Sequence, residues 1–380
     1  MGIYPMSRKA RWAVPAGALA VTGGIMAAAL MPAAQAAPAL PARTPAQLLA
    51  DVAAQSHIPA LSGTVVETAS LGLPRLPGTQ NSTSLASLLA GSHTIQVWYA
   101  SPRQYRIALP GSMSETDLYR SGSTAWLWQS VPDTVTKFVL PAKAPSQAPA
   151  ELPATPQQAA NDALAAVGPT TTVRVDSNVY VAGQASYELV LAPRDTRSLV
   201  GQVRIAIDAN NSVPLRVEVF ARHAKSPAIS IGFTSVTFAT PSAADISFTP
   251  PAGAKVTTVN VAPGKSTHSD APGAGTNVIG SGWLTVVKLP SSALTSASAI
   301  GGPDGASDAG ASNSPVASNG APADGRAAIQ ALLGSASTVH GAFGTGQLIR
   351  TSLISALITN GSVYFGAVDP SVLYAAASAH

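Results

Sequence analysis

The sequence predicts an α+β fold: a long antiparallel meander of strands curved around a core, crossed once by a helix, with a small α+β module after it. Three observations carry this expectation. From Ser92 onward apolar side chains recur at every second position, first Ile95, Val97 and Tyr99, then Tyr105, Ile107 and Leu109 across a turn at Ser101-Pro102. That is the period of a strand with one face on a core. Short turn signals at Ser121-Gly122-Ser123, Pro132-Asp133 and Asp208-Ala209-Asn210-Asn211 separate the runs, and short turns join antiparallel neighbours. Helix starts in this region are few: Thr44-Pro45 and Thr155-Pro156 each put a capping threonine before a first-turn proline.

The chain begins with the three parts of an export signal. Arg8, Lys9 and Arg11 are basic, Trp12–Met31 is apolar, and Ala34-Gln35-Ala36 supplies small residues for cleavage after Ala36. The apolar stretch is also long enough for an uncleaved anchor, so residues 1–36 are a signal peptide or a membrane anchor. Either reading puts the folded part outside the cytoplasm. With no cysteine in the chain, disulfides, thiolate metal sites and an N-terminal lipid-modified cysteine are excluded.

After a spacer at 37–43, the helix at Thr44 leads to a strand over Leu61–Thr68, a Leu/Pro/Gly loop over Leu71–Gly78 and a short helix over Ser82–Ala90. Strands then follow at Glu115–Ser121, Thr124–Gln129 and Thr134–Leu140. A low-complexity stretch at Pro141–Pro156 precedes the crossing helix, which runs to Val167. Strands resume at Thr171–Val181, Ser186–Ala192, Val200–Ile207, Leu215–Phe220, Ile229–Phe238 and Ile246–Thr249. The first domain is thus expected over 44–259, a Pro/Gly/Ser linker over 260–277 and a second module over 278–380. In that module a strand at Trp283–Leu289 precedes a disordered insert at 291–324 and a helix near Arg326–Ser337. Strands at Leu348–Thr359 and Ser362–Val368 then flank the hairpin signal Asn360-Gly361, and a helix begins at Pro370.

Catalytic signatures are thin. No Gly-x-Ser-x-Gly elbow, His-Glu-x-x-His or phosphate loop occurs, and the six histidines are scattered, so no catalytic residue, metal ligand or cofactor is expected. His93 meets Glu115 and Asp117 only if strand pairing brings them together. Few charges, a net charge of +4 and no long basic run exclude a nucleic-acid partner. The apolar positions on the strands are the informative set. On alternation Tyr105, Ile107, Trp126, Trp128, Leu189, Leu191, Ile205, Val217, Ile231 and Phe233 face inward, either as a filled core or as the lining of a container for something apolar. Trp126 and Trp128 share one strand face, which suits a sugar or lipid platform as well as two core aromatics.

Several segments resemble the outer-membrane lipoprotein carrier (LolA-like) family, and more closely its exported actinobacterial members. They are Ile95–Tyr99, Ser101-Pro102, Tyr105-Arg106-Ile107, the run Ser121-Gly122-Ser123-Thr124-Ala125-Trp126-Leu127-Trp128, Tyr187–Pro193 and Val203–Asp208. The ending Phe-x-Pro-Pro-x-Gly-x-x-Val at Phe248–Val256 is the most specific of them. The resemblance covers about Thr44–Val259. It implies a curved antiparallel half-barrel covered by helices, whose concave face binds acyl chains of lipid or lipoprotein without a cofactor. In that family an arginine beside the proline turn helps hold a closed lid; the matching position here is Ser101, with Arg103 and Arg106 nearby. A sensor of the RseB-like type, in which such a domain precedes a second small domain and contacts a membrane regulator of an anti-sigma system, is the competing implication.

Overall fold

A computed structural model describes residues 37–54, 58–72, 91–141, 156, 160, 167–261, 277–292 and 334–379. The expected export segment, the helix at Ser82–Ala90, most of the Leu71–Gly78 loop, of the Ala/Pro stretch and its helix, of the 291–324 insert and of the Arg326–Ser337 helix lie outside these residues.

Thirteen strands make one curved, largely antiparallel sheet of half-barrel form with few helices. Six run consecutively as a meander: β1 (Leu61–Ala69), β2 (Gly91–Ser101), β3 (Gln104–Pro110), β4 (Glu115–Ser121), β5 (Thr124–Gln129) and β6 (Thr134–Val139). A second meander is built from β9 (Gln184–Pro193), β10 (Val200–Asp208), β11 (Pro214–Ala221) and β12 (Ile229–Thr237), with β7 (Thr171–Val175) and β8 (Val179–Val181) both paired to β9. The single meander expected from the sequence is therefore two, joined where β1 lies antiparallel to β12 with Ser62 opposite Thr237. Adjacent runs in a sequence show their turns, but a seam between distant strands has no local signal.

The segment after β12 departs from expectation. Instead of a strand over Ile246–Thr249, residues Ala243–Ile246 form a short helix with Ser242 as cap: its hydroxyl accepts from the Asp245 amide, and the Asp245 carboxylate accepts from the Ser242 amide. A local capping box outweighs the β preference of the apolar residues that follow. The Pro-Pro-Ala-Gly turn, with Gly253 at a φ of 94°, then delivers β13 (Lys255–Asn260), which lies parallel to β6 at the sheet edge.

The second sheet has the order β14 (Asn277–Ile279), β15 (Val286–Pro290), β19 (Ser362–Gly366), β18 (Ser355–Thr359), β17 (Gly344–Arg350) and β16 (Ser337–Gly341). β14 falls at the end of the expected linker. A 3₁₀ turn at Gly282–Leu284 replaces the start of the expected strand at Trp283. The stretch Leu348–Thr359 is two strands rather than one, because Thr351 makes a turn in which its hydroxyl accepts from the amides of Leu353 and Ile354. Asn360 and Gly361 both have positive φ, as the two-residue hairpin between β18 and β19 requires. The C-terminal helix, Pro370–Ser378, is capped by Asp369 and covers this sheet with Leu373, Ala376 and Ala377.

Candidate functional site

The candidate site is the inner wall of the large sheet, and strand parity decides which residues belong to it. On β1 Leu61, Val65 and Ala69 are buried, and register carries that face across the sheet. Val65 opposes Ile95 on β2 and Phe233 on β12, Val97 opposes Ile107 on β3, and Ile107 opposes Leu118 on β4. In the other meander Leu189 opposes Ile205, Ile205 opposes Val217, and Val217 opposes Ile231. Tyr105, Ile107, Leu189, Leu191, Ile205, Val217, Ile231 and Phe233 therefore lie buried in one apolar cluster.

Trp126 and Trp128 do not join them. Trp126 opposes Tyr119, which opposes Arg106, and Arg106 stands between Tyr105 and Ile107 in sequence, so it faces the other way. The inward positions of β5 are instead those of Ala125 and Leu127. Alternation gives the period of a strand but not its phase, and assigning the bulkier tryptophans to the core chose the wrong one.

The wall is covered by the helix Pro45–Ala54, which sets Leu48 and Val52 on it. Thr44 caps this helix: its hydroxyl accepts from the Gln47 amide, while the Gln47 side chain accepts from the Thr44 amide. Arg43 pairs with Asp51 on the same helix, and the Tyr187 hydroxyl donates to the Pro41 carbonyl at 3.0 Å, tying the helix entry to β9. Leu71, Ala160 and Leu353 complete the buried cover, the last from the turn between β17 and β18.

Polar groups interrupt this apolar surface at a few places. The Tyr105 hydroxyl is buried with no hydrogen-bond partner among the described residues, and burial raises its pKa while the nearby Arg120 charge pulls it back. Arg120 opposes Tyr105, is itself buried, and donates from Nε to the Gly122 carbonyl at 3.4 Å. Glu67 on β1 lies opposite His93 on β2, so His93 meets a carboxylate other than the two considered from sequence. Asp117 opposes Ala108 and is turned to the outer face with Arg106.

That outer face carries a row of alternating aromatic and cationic residues. The Arg106 guanidinium lies 4.6 Å from the Trp98 ring and 5.0 Å from the Tyr119 ring, and the Lys137 ammonium lies 5.0 Å from the Trp126 ring. Phe248, the first residue of the most specific motif, packs in tilted contact with Tyr119 and Trp126 at 4.6 and 5.7 Å between centroids. The motif is thus a strap across the outside of β4 and β5. Trp128 donates from its indole to Asp133 at 3.3 Å. Of the arginines near the proline turn, Arg106 is ion-paired on the outer face, and Ser101 accepts from the Arg103 amide at 3.4 Å.

One glycine on the wall is sterically required. A Cβ at Gly63 would stand 2.4 Å from the Ser235 carbonyl oxygen and 3.0 Å from the Phe233 ring. Gly63→Ala is expected to lower stability by about 1–3 kcal/mol in chemical denaturation, through overpacking beside the β1–β12 bulge.

The sheet and wall define a curved, largely antiparallel half-barrel with an apolar interior, and the chain carries a second, smaller sheet. No protein-family model and no curated protein matches the sequence. Among solved structures, the chain is similar to one in the complex structure of Pseudomonas aeruginosa MucA/MucB, at 13% identity over 88% of this chain and 96% of that one, with a TM-score of 0.39. It is also similar to a LolA superfamily protein from Nitrosomonas europaea, at 9% identity over 55% of this chain and 99% of that one, with a TM-score of 0.22. A third is an uncharacterized conserved protein from Thermus thermophilus, at 12% identity over 56% of this chain and 98% of that one, with a TM-score of 0.31. No described helix is long and apolar enough to cross a membrane.

Proposed function

We propose that the half-barrel binds lipid or the acyl chains of a lipoprotein in the cell envelope, reversibly and without chemistry. The observation that supports this reading is the continuity of the inner wall. Apolar side chains oppose one another in register from Leu189 on β9 through Ile205 and Val217 to Ile231 on β12, and from Leu118 on β4 through Ile107 to Val97 on β2, with Val65 between Ile95 and Phe233 joining the two arms and Glu67 and His93 as the polar positions at the seam. Acyl burial is worth roughly 0.8 kcal/mol per methylene, so a chain laid along such a wall is held tightly by desolvation and dispersion alone. Burial raises the pKa of the Tyr105 phenol on this wall and so opposes its ionisation. A ligand enters by displacing Leu48, Val52 and the rest of the present cover.

Native mass spectrometry of the protein purified from its own envelope tests this directly. Mass increments matching acyl species are expected, and they should disappear after delipidation. A bare mass in repeated preparations overturns the proposal.

A second reading is favoured by the contact between the two sheets. The module that supplies Leu353 to the wall also pairs backbone with the large sheet: Ser198 and Val368 form an isolated antiparallel bridge, and the Leu199 amide donates to the Ala367 carbonyl at 2.9 Å. In that reading the protein is an envelope-stress sensor of the RseB-like type, in which filling the wall alters what the second sheet presents to a membrane regulator. A partner protein that co-purifies with the full chain and is released by an acyl ligand is its expected signature; retention of the partner at saturating ligand refutes it.

A further inference from the structure

The inner wall contains one acid that the apolar-container reading does not use. Glu67 sits on β1 at the inward parity, between Val65 at 1% exposure and Ala69 at 7%, with Ile231 opposite it on β12 at 3% and His93 opposite it on β2. Four of its nearest positions on that face are thus three aliphatic residues and one imidazole. Its Oε2 is shut off from solvent and has no hydrogen-bond partner among the described residues. Loss of hydration raises its pKa, with His93 acting in the opposite direction.

An acceptor left in this position has a cost. A shielded, unsatisfied polar atom destabilises a fold, even on a half-buried side chain, and leucine, isoleucine or valine at the same place would complete the wall. Most native structures satisfy such atoms, so an orphaned oxygen on a ligand-facing surface points to a partner that arrives from outside. Among the described residues no cluster of His, Asp and Glu is able to hold a metal ion there.

We infer that Glu67 is the polar anchor of the inner wall: it accepts a hydrogen bond from the head of an acyl ligand bearing an amide N–H, hydroxyl or ammonium, and disfavours acyl chains that end in an anion. This rests on the acyl-binding reading and narrows it to a class of ligand. The geometry separates the two halves of recognition. The aliphatic side chains around Glu67 take the hydrocarbon, and the shielded oxygen reads the donor at its end. An anionic head brought to the same place would face a carboxylate across a surface with little water to screen the repulsion.

The test compares wild type, Glu67→Gln and Glu67→Leu as full-length proteins, each checked for an unchanged circular dichroism spectrum. Displacement of a neutral naphthyl dye reports binding of two probes of equal chain length, a fatty acid and its N-(2-hydroxyethyl) amide, at neutral pH. Wild type should prefer the amide by about tenfold, the value of one hydrogen bond to a charged acceptor. Glu67→Leu should bring the two probes within about twofold, by weakening the amide, which loses its acceptor, as well as tightening the acid. Glu67→Gln keeps an acceptor and loses the charge, so it should hold the amide and admit the acid. If Glu67→Leu discriminates as wild type does, or if wild type binds both probes equally, the anchor is wrong and the acyl-binding wall stands. If neither probe displaces the dye from any of the three proteins, the acyl-binding reading falls and the anchor falls with it.

Discussion

Asp117→Ala is expected to lower the stability of the large sheet by about 3–5 kcal/mol, read as a shift of the urea midpoint without a change of slope. Asp117 on β4 is 0% exposed, and its Oδ2 accepts from Arg106 Nε at 2.9 Å, from Arg106 Nη2 at 2.6 Å and from the Tyr119 hydroxyl at 3.0 Å. Arg106 is in turn held between the Trp98 and Tyr119 rings and makes a longer contact of 3.3 Å with Glu115. Removing the carboxylate strands a guanidinium between two aromatic faces and orphans a buried phenol. Arg106 keeps some solvent contact and Glu115 remains beside it, so the loss should fall toward the lower end of the range. Asp117→Asn retains an acceptor and should lose about half as much. A midpoint for Asp117→Ala that converts to less than about 0.5 kcal/mol would mean that the network contributes nothing beyond a surface pair.

Leu353→Asp should detach the second sheet from the first. Leu353 is 5% exposed, lies in the turn between β17 and β18, and is buried in the core of the large sheet, beside a bond of 2.9 Å from the Ser352 amide to the Leu71 carbonyl. The other ties lie at the same end of the sheet: Asp369 N to the Arg197 carbonyl at 2.7 Å, and the Trp283 indole to the Thr171 hydroxyl at 2.8 Å. Burial of one leucine is worth about 1.5–3 kcal/mol, and a carboxylate in its place adds the cost of its own desolvation. The smaller sheet has its own buried core around Leu357, Val368 and Leu373, so it should survive detachment. Limited proteolysis of Leu353→Asp is expected to give two resistant fragments where wild type gives one. Adding Ser198→Cys and Val368→Cys should reverse the effect under oxidation. Bridge partners have Cα atoms about 4.5–5.5 Å apart, within the span of a disulfide, and the chain has no other cysteine to compete. A single resistant fragment from Leu353→Asp without the disulfide would show that the turn is not what fastens the module.

Much of the large sheet was legible in the sequence because its strands alternate and its turns are short and rich in Gly, Asn and Asp. β2 to β6 and β9 to β12 are of this kind. The Asn360-Gly361 hairpin obeys an equally local rule, and so does the capping box at Ser242, a signal that the strand expected over Ile246–Thr249 leaves out. What a local pattern does not carry is phase and distance. Trp126 and Trp128 were placed with Tyr105 and Ile107, but the two-residue turn at Gly122-Ser123 sets Ala125 against Arg120 and sends both tryptophans outward. Glu67 was passed over, although the signal was present: a charged residue at the inward register between Val65 and Ala69 breaks the alternation of an otherwise apolar face. The Arg106–Asp117–Tyr119 network was not legible, since it needs the register between β3 and β4 to bring the three together.

The seam between β1 and β12 has a kinetic consequence. One long flank of β1 stays without its neighbour until the chain as far as Thr237 has been synthesised, so joining the two arms side by side is a search over a very large loop. Refolding should accordingly be limited by that search. Lengthening the stretch between the arms should matter little, since doubling a flexible loop adds only about 0.6 kcal/mol to the entropy of closing it. A nascent chain interrupted before this point would hold two half-built arms with bare edges, the state in which such a protein is most exposed to clumping.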